Sequence, residues 1–219
     1  IIYRLFGNED TMYLALQQGD MDMTWAYSTG VSGSYQDVLA ATDTLTLEAV
    51  TAANAPAVLA FNNANGPFAD ENLRLAVSYA LDYDSFRTVF GSAYASNPNR
   101  GFVPPVTVGY KETEALGQDL DKAEQYMADA GYTEKNADGF YVNANGEVCV
   151  FTLTCNAGKE AHVGYAELVK TQLEQFGIQV VLETLDADSY NAKTSNKFSE
   201  NNITMEAAIY GYTAAGMGM

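Results

Sequence analysis

The sequence predicts an α/β fold, a mixed sheet flanked by helices, and three observations carry that expectation. From Glu147 to Tyr210 the hydrophobic period switches between two and 3.6 residues in the order strand, helix, strand, helix, strand. Behind Asp70, a good N-cap, the apolar residues Leu73, Val77, Ala80 and Leu81 recur at helical spacing. A content of 47% hydrophobic and 18% charged residues over 219 positions is that of a chain which buries a core.

Taken in order, Ile1, Ile2, Tyr3, Leu5 and Phe6 read as a strand. Asp10 is placed to cap a helix over Thr11–Gln18 that Gly19 ends, and Met21–Ala26 resumes an extended alternation. Tyr27–Ser34 is a polar break rich in Ser and Gly, suited to a hinge, ahead of a short helix at Tyr35–Ala41. Thr44–Ala52 and Ala55–Phe61 read as strands, and Asn62–Pro67 is a turn cluster before the helix that Asp70 opens. A second short helix follows over Asp84–Phe90. Gly91–Tyr110 holds Pro98, Pro104 and Pro105 without periodicity and is expected to be an ordered surface loop.

Lys122–Ala130 reads as a helix with Asp121 near its start and Gly131 as its stop. Gly139–Val142 and Glu147–Thr154 read as a hairpin, because Asn145-Gly146 between them favours the positive φ of a tight turn. Glu160–Phe176 carries Val163, Ala166, Val169, Leu173 and Phe176 on one helical face, and Gly177 ends it. Strands at Ile178–Leu185 and Ile203–Tyr210 flank a short helix over Ala187–Asn196. The strands near 147–154, 178–185 and 203–210 are expected to share one sheet, with the 160–176 helix packed on it.

Charge and composition exclude several classes of function. Twenty-eight acidic against eleven basic residues leave 28 − 11 = 17 net negative charges, which repel phosphate backbones and anionic lipid, so no nucleic-acid partner is expected. No run approaches the ~20 apolar residues of a membrane span. Cys149 and Cys155 on one extended strand would stand about 20 Å apart at roughly 3.3 Å per residue, too far for a disulfide, and read as buried small residues. With one histidine, His162, and no paired-cysteine spacing, no metal site and no cofactor are expected. There is no nucleophile elbow, phosphate loop or zinc-helix motif. Carboxylate neighbours such as Asp20/Asp22 and Asp82/Asp84 could serve a glycosidase, but a chain this acidic places such neighbours by chance.

Open α/β sheets bind ligands beyond the carboxyl ends of their strands, and the last strand here runs into Gly211–Met217. Tyr212 offers a flat apolar face with a hydroxyl, Thr213 a second hydroxyl, and Ala214 leaves room for close approach to the backbone. These three are the leading ligand-binding candidates, with Tyr27 and Ser28 near the hinge as further ones. An ordinary Gly-rich turn is the plain alternative.

These landmarks, in this order, resemble the solute-binding proteins of ABC importers in the oligopeptide, dipeptide and nickel family, known as family 5. Leu14–Asp22 is similar to the family's helix-to-strand passage before its "GeiD". Phe61-Asn62, then Gly66–Asp70 and Leu73–Asp82, are similar to its "fN…PfaDvrvRqAlayAiDr" stretch, the most specific of the matches. Pro104-Pro105 with Asp121–Tyr132, and Leu173–Val180 with Ala208–Tyr212, are similar to two further stretches.

The resemblance implies a type II periplasmic-binding-protein-like lobe. The protein it implies closes on a small solute between two lobes and presents it to an ABC permease in the membrane, as a monomer and without catalysis. It also implies that the chain is part of a longer protein: residues 1–30 a remnant of the other lobe or the hinge, and 31–219 the carboxyl-side solute-binding lobe. Location would be extracytoplasmic, in the periplasm or tethered to the outer face of the cell membrane as a lipoprotein. A peptide or peptide-like solute is expected first, a nickel or metal chelate second, and a glycosidase-type enzyme after both. The chain departs from the peptide-binding pattern where Tyr212 stands for a Trp, Ala215 for an Asp that pairs with a peptide amine, and Ile209 for an Arg.

Overall fold

The computed structural model describes residues 1–24, 31, 33–48, 54–91, 94–97, 99–101, 105, 109–195 and 203–213, with the side chains of 54–56, 212 and 213 left out. Its centre is a four-stranded mixed sheet in the order β1-β6-β4-β5, formed by β1 (Asn54–Phe61), β4 (Val150–Asn156), β5 (Gln179–Leu185) and β6 (Ala207–Thr213). β4 runs parallel to both neighbours, pairing Asn156 with Leu185 on β5 and Leu153 with Ala207 on β6. β1 closes the other edge antiparallel to β6, from Phe61 opposite Ala207 to Asn54 opposite Thr213. The three strands expected to share a sheet do so.

One face of this sheet carries the main core. Phe151, Leu153 and Cys155 of β4, Val180 of β5 and Ala207 and Ile209 of β6 meet three helices, α3 (Glu71–Ala80), α5 (Leu120–Asp129) and α6 (Glu160–Phe176). Alternation in the strands and 3.6-residue spacing in the helices aim these side chains at one another. Ala76, Met127, Leu153 and Leu173 are fully buried there. The bounds of α6 and its Gly177 stop, at φ 118, are those the sequence predicts. On the opposite face α7 (Ala187–Thr194) packs Tyr190 with Met205, Ala208 and Tyr210. Apart from this body, α1 (Glu9–Gln17) and α2 (Gly33–Ala40) share a small cluster of Tyr13, Leu16 and Leu39.

Several expectations need correction. Residues 1–6 form no strand; Ile1, Ile2 and Leu5 stand fully exposed, and without a partner strand their backbone groups stay with water. The cap of α1 is Asn8, whose Oδ1 accepts from the Thr11 amide at 2.9 Å, and not Asp10, which lies inside the helix. Residues 21–24 and 44–48 are irregular, while the remainders of those two expected strands lie outside the described residues. The helix expected over 84–90 is a short α4 (Tyr83–Phe86) running into a π turn at Arg87–Gly91.

The Asn143–Gly146 turn forms, with Gly146 at φ 79 and its amide on the Asn143 carbonyl at 2.8 Å. The hairpin it should join does not. β3 (Tyr141–Asn143) pairs with β2 (Tyr132–Lys135), and a single bridge, Val142 to Val148, links it toward β4. The last strand starts at Ala207, not Ile203, because the Asn62 side-chain amide donates to the carbonyls of Ile203 at 3.4 Å and Met205 at 3.0 Å, holding that stretch off the ladder. Of the long segment at 91–110, the described residues are tied by the Asn99–Ala115 bridge, an Arg100–Glu114 ion pair at 3.2 Å and the Asn99 amide on the Tyr110 hydroxyl at 2.6 Å.

Candidate ligand-binding edge

The carboxyl ends of β4, β5 and β6 lie along one edge of the sheet, at Asn156, Leu185 and Thr213, and antiparallel β1 begins there at Asn54. The chain leaves β4 into α6 on one face and leaves β5 into α7 on the other. Connections on opposite faces open a crevice between neighbouring strands at this edge. Continuing the pairing of Thr154 with Ala208 puts Asn156 level with Tyr210, so β6 and the start of β1 extend three residues further, about 10 Å at roughly 3.3 Å per residue. The edge is therefore stepped, with the turn after β4 below an overhang made by β1 and β6.

Local hydrogen bonds fix the lower step. The Ala157 amide donates to the Leu185 carbonyl at 2.7 Å, and Asn156 Oδ1 accepts from the Gly158 amide at 2.8 Å, forming an Asx turn that feeds α6. His162 is buried in the first turn of that helix, packed rather than solvated. Asp186 caps α7, accepting from the Asp188 and Ser189 amides at 3.0 and 3.1 Å and from the Ser189 hydroxyl at 2.7 Å. That hydroxyl, with the backbone donors, holds its carboxyl below the ordinary range.

Behind the edge, Tyr190 donates its hydroxyl to the Ile209 carbonyl at 2.7 Å and Tyr210 donates to the Thr194 carbonyl at 2.5 Å, tying α7 to β6. Burial pushes the Tyr190 hydroxyl up to about 12. Glu183 accepts from Lys193 Nζ at 2.6 Å and from the Thr154 hydroxyl at 2.9 Å, and the lysine hydrogen bond chiefly draws its carboxyl down.

Beside the lower step a shallow groove of about 590 Å³ follows the first half of α6, lined by Ala157, Glu160, Val163, Gly164 and Glu167. Gly164 admits a neighbour that no other residue would: a Cβ there would come within 3.1 Å of the Phe90 ring. Phe90 in turn lies against Tyr165, ring centroids 3.9 Å apart.

Of the residues singled out in the sequence, Tyr212 and Thr213 are the last two of β6, opposite Ala55 and Asn54 in the ladder, so their backbone stands on the overhang. Tyr27, Ser28 and Ala214 lie outside the described residues, as does Ala215. Ile209, at the position of the peptide-pattern Arg, is buried in the main core. The sequence reading passed over Asn156–Gly158 and the groove beyond, although a strand running through an Asn-x-Gly turn into a helix is the same signal that drew attention to the end of β6.

The acidic neighbours have structural work. Asp82 caps α4 through the Asp84 and Ser85 amides at 3.0 and 3.3 Å, and Asp84 pairs with Arg87 at 3.3 Å. Asp20 and Asp22 are exposed. Cys149 and Cys155 are free and buried, and burial pushes the Cys149 thiol up to about 12. Among the described residues no cluster of three metal-ligating side chains occurs, and no helix is long and apolar enough to cross a membrane.

A mixed sheet flanked by helices, with its crevice at the carboxyl edge, is the architecture of type II periplasmic binding proteins. The solved NikA of Brucella suis in complex with Fe(III)-EDTA superposes with TM-score 0.74 at 16% identity, covering 96% of this chain and 41% of that one. The periplasmic binding protein DppA of Helicobacter pylori in complex with the peptide STSA gives TM-score 0.71 at 22% identity, covering 96% and 36%. Residues 1–214 match the model of the bacterial extracellular solute-binding proteins, family 5, and the chain belongs to that family. The oligopeptide-binding protein AppA of Bacillus subtilis is 26% identical over 133 residues, which are 58% of this chain. The match spans 24% of AppA, so the chain corresponds to about a quarter of that relative.

Proposed function

We propose that the chain is the carboxyl-side lobe of an ABC-importer binding protein, which captures a small solute against its stepped edge and hands it to a membrane permease without chemical change. Residues 31–219 supply the lobe, and 1–30 the approach from the other lobe or hinge. The match to the family over residues 1–214 carries this reading. The crevice at the carboxyl ends of β4, β5 and β6 supports it with a place for the solute. The protein works outside the cytoplasm, in the periplasm or tethered to the outer face of the membrane, as a monomer.

A peptide or peptide-like solute is the first reading, since AppA and the STSA-bound DppA are named for peptides. A metal chelate is the second, favoured by the likeness to NikA and by Ala215 standing where peptide binders carry an Asp. Titration calorimetry of the full protein chain against peptide pools, and against nickel with and without histidine, separates them. Saturable peptide binding is expected; chelate-dependent nickel binding with no peptide signal would overturn the order. Recovery of peptides or oligosaccharides chemically altered after incubation would mean an enzyme.

Tyr212 and Thr213 contact the solute from the overhang, with Ala214 beside them and Tyr27 and Ser28 facing from the hinge. Tyr212→Ala removes a stacking face and a hydroxyl, and should weaken binding by about 1–3 kcal/mol, roughly ten- to a hundredfold. Unchanged affinity would move the site elsewhere.

A further inference from the structure

The groove along the first half of α6 has a composition that selects its occupant. Its floor is apolar and small, made of Ala157, Val163 and Gly164, and its rim carries Glu160 and Glu167. The two glutamates are seven residues apart, two helical turns, about 10 Å along the axis. Among the described residues neither carboxylate takes part in an ion pair. The groove opens beside the Ala157 turn, at the carboxyl edge where the solute is proposed to lie. Its volume, about 590 Å³, falls within the roughly 300–1,000 Å³ of small-ligand pockets.

We infer that this groove is a specificity subsite for a cationic side chain of the solute, a lysine or arginine of a bound peptide, whose methylene stem lies on Val163 and Gly164 with its charge between Glu160 and Glu167. The inference rests on the peptide reading and adds to it the chemical class of one side chain. Charge complementarity is the reason: two unpaired carboxylates flank an apolar floor, on a chain with a formal charge of −17 that draws cations toward it. A long aliphatic stem capped by a cation covers apolar surface while its head stays at the wet rim.

Two local charges oppose the cation. The amino end of α6 carries a partial positive charge, which Glu160 in its first turn offsets, and Lys159 stands next to it. Glu167, a further two turns in, is clear of both and should contribute more. Gly164 keeps the floor low, because a side chain there would collide with Phe90 or fill the groove.

The test uses the full protein chain and three alanine-rich tetrapeptides that carry lysine, norleucine or glutamate at one scanned position. Calorimetry at low salt should find, at one position, the lysine peptide bound about three- to tenfold more tightly than the norleucine peptide, and the glutamate peptide weakest. The margin should shrink as salt rises. In a Glu160→Gln/Glu167→Gln variant the lysine preference should disappear while norleucine-peptide affinity stays unchanged. Both positions are exposed, so an unchanged circular dichroism spectrum and melting temperature are expected of the variant. Equal binding of lysine and norleucine peptides at every position, or a preference that survives in the variant, overturns the subsite and leaves the peptide reading standing. Failure of every peptide to bind overturns both.

Discussion

The main core and the α1/α2 cluster are built from similar residues to very different effect. Around the sheet, helices α3, α5 and α6 bring together Phe68, Val77, Met127, Leu153, Leu173 and Ile209, each less than 2% exposed. Between α1 and α2 only Tyr13, Leu16 and Leu39 are buried, while Leu14 and Val38 on the same helices stay more than half exposed. A strand presents every second side chain to one face, so four strands offer a broad apolar surface that several helices can cover, whereas two short helices offer each other one stripe. Helix capping is alike in the two regions; what differs is the surface available to pack against.

If that contrast is right, Leu173→Ala should cost about 2–5 kcal/mol in urea denaturation, because it opens a cavity in a fully enclosed site. Leu16→Ala should cost less than half as much, since its surroundings can collapse or admit water. Equal losses would break the comparison.

Glycines give the next largest effect. Gly177 sits at φ 118, and a Cβ there would stand 2.9 Å from the Gly139 carbonyl oxygen and from Lys135 Cε, so Gly177→Ala should cost about 1–3 kcal/mol. Gly19 has φ 78 with open space around it, and Gly19→Ala should cost about 1 kcal/mol from backbone strain alone. Thermal melts of the two variants measure the difference that packing adds to the same backbone demand.

Caps sharpen the contrast by holding chemistry constant. Asp70 accepts from the Asn72 amide at 2.8 Å and Asn8 from the Thr11 amide at 2.9 Å. Alanine at either site should remove about 1 kcal/mol of helix stability. In Asp70→Ala this loss should appear in global unfolding. In Asn8→Ala it should appear as faster amide hydrogen exchange confined to α1, because a lightly packed helix opens without unfolding the core.

The smallest effect is electrostatic. Lys193 holds the Glu183 carboxyl below its ordinary value of 4.5, so its contribution is present above that value and is lost as pH falls through the lower folded pKa. Glu183→Gln should therefore flatten part of the acid-side loss of stability, while costing less than about 1 kcal/mol at neutral pH. Denaturation midpoints of both proteins from pH 7 downward check the sign.

Local chemistry decided much of this molecule, and those parts were legible in the sequence. Asp70 before a 3.6-residue repeat specifies α3, and Gly177 after the repeat of α6 specifies where that helix stops, because caps and periodicity act within one or two turns. The alternation of strands and helices from residue 147 onward was enough for the sheet, and with the family's stretches for the fold class. Tyr212 and Thr213 could be assigned to the end of the last strand for the same reason.

Only the tertiary structure decided the pairings. The Asn143–Gly146 turn forms as its residues demand, yet β4 is drawn into the central sheet by β5 and β6, whose partnership buries Leu153 and Cys155 completely, and β3 is left to β2. A turn sets the direction of the chain; competition among distant strands sets which neighbour wins. Ile1 to Phe6 carry strand-forming residues with no strand to pair with, and the Asn62 side chain removes residues 203–206 from a strand their sequence would allow. The groove beside α6 was invisible for the same physical reason, since Glu160 and Glu167 read as ordinary surface charges until the fold sets them around Val163 and Gly164 at the carboxyl edge of the sheet.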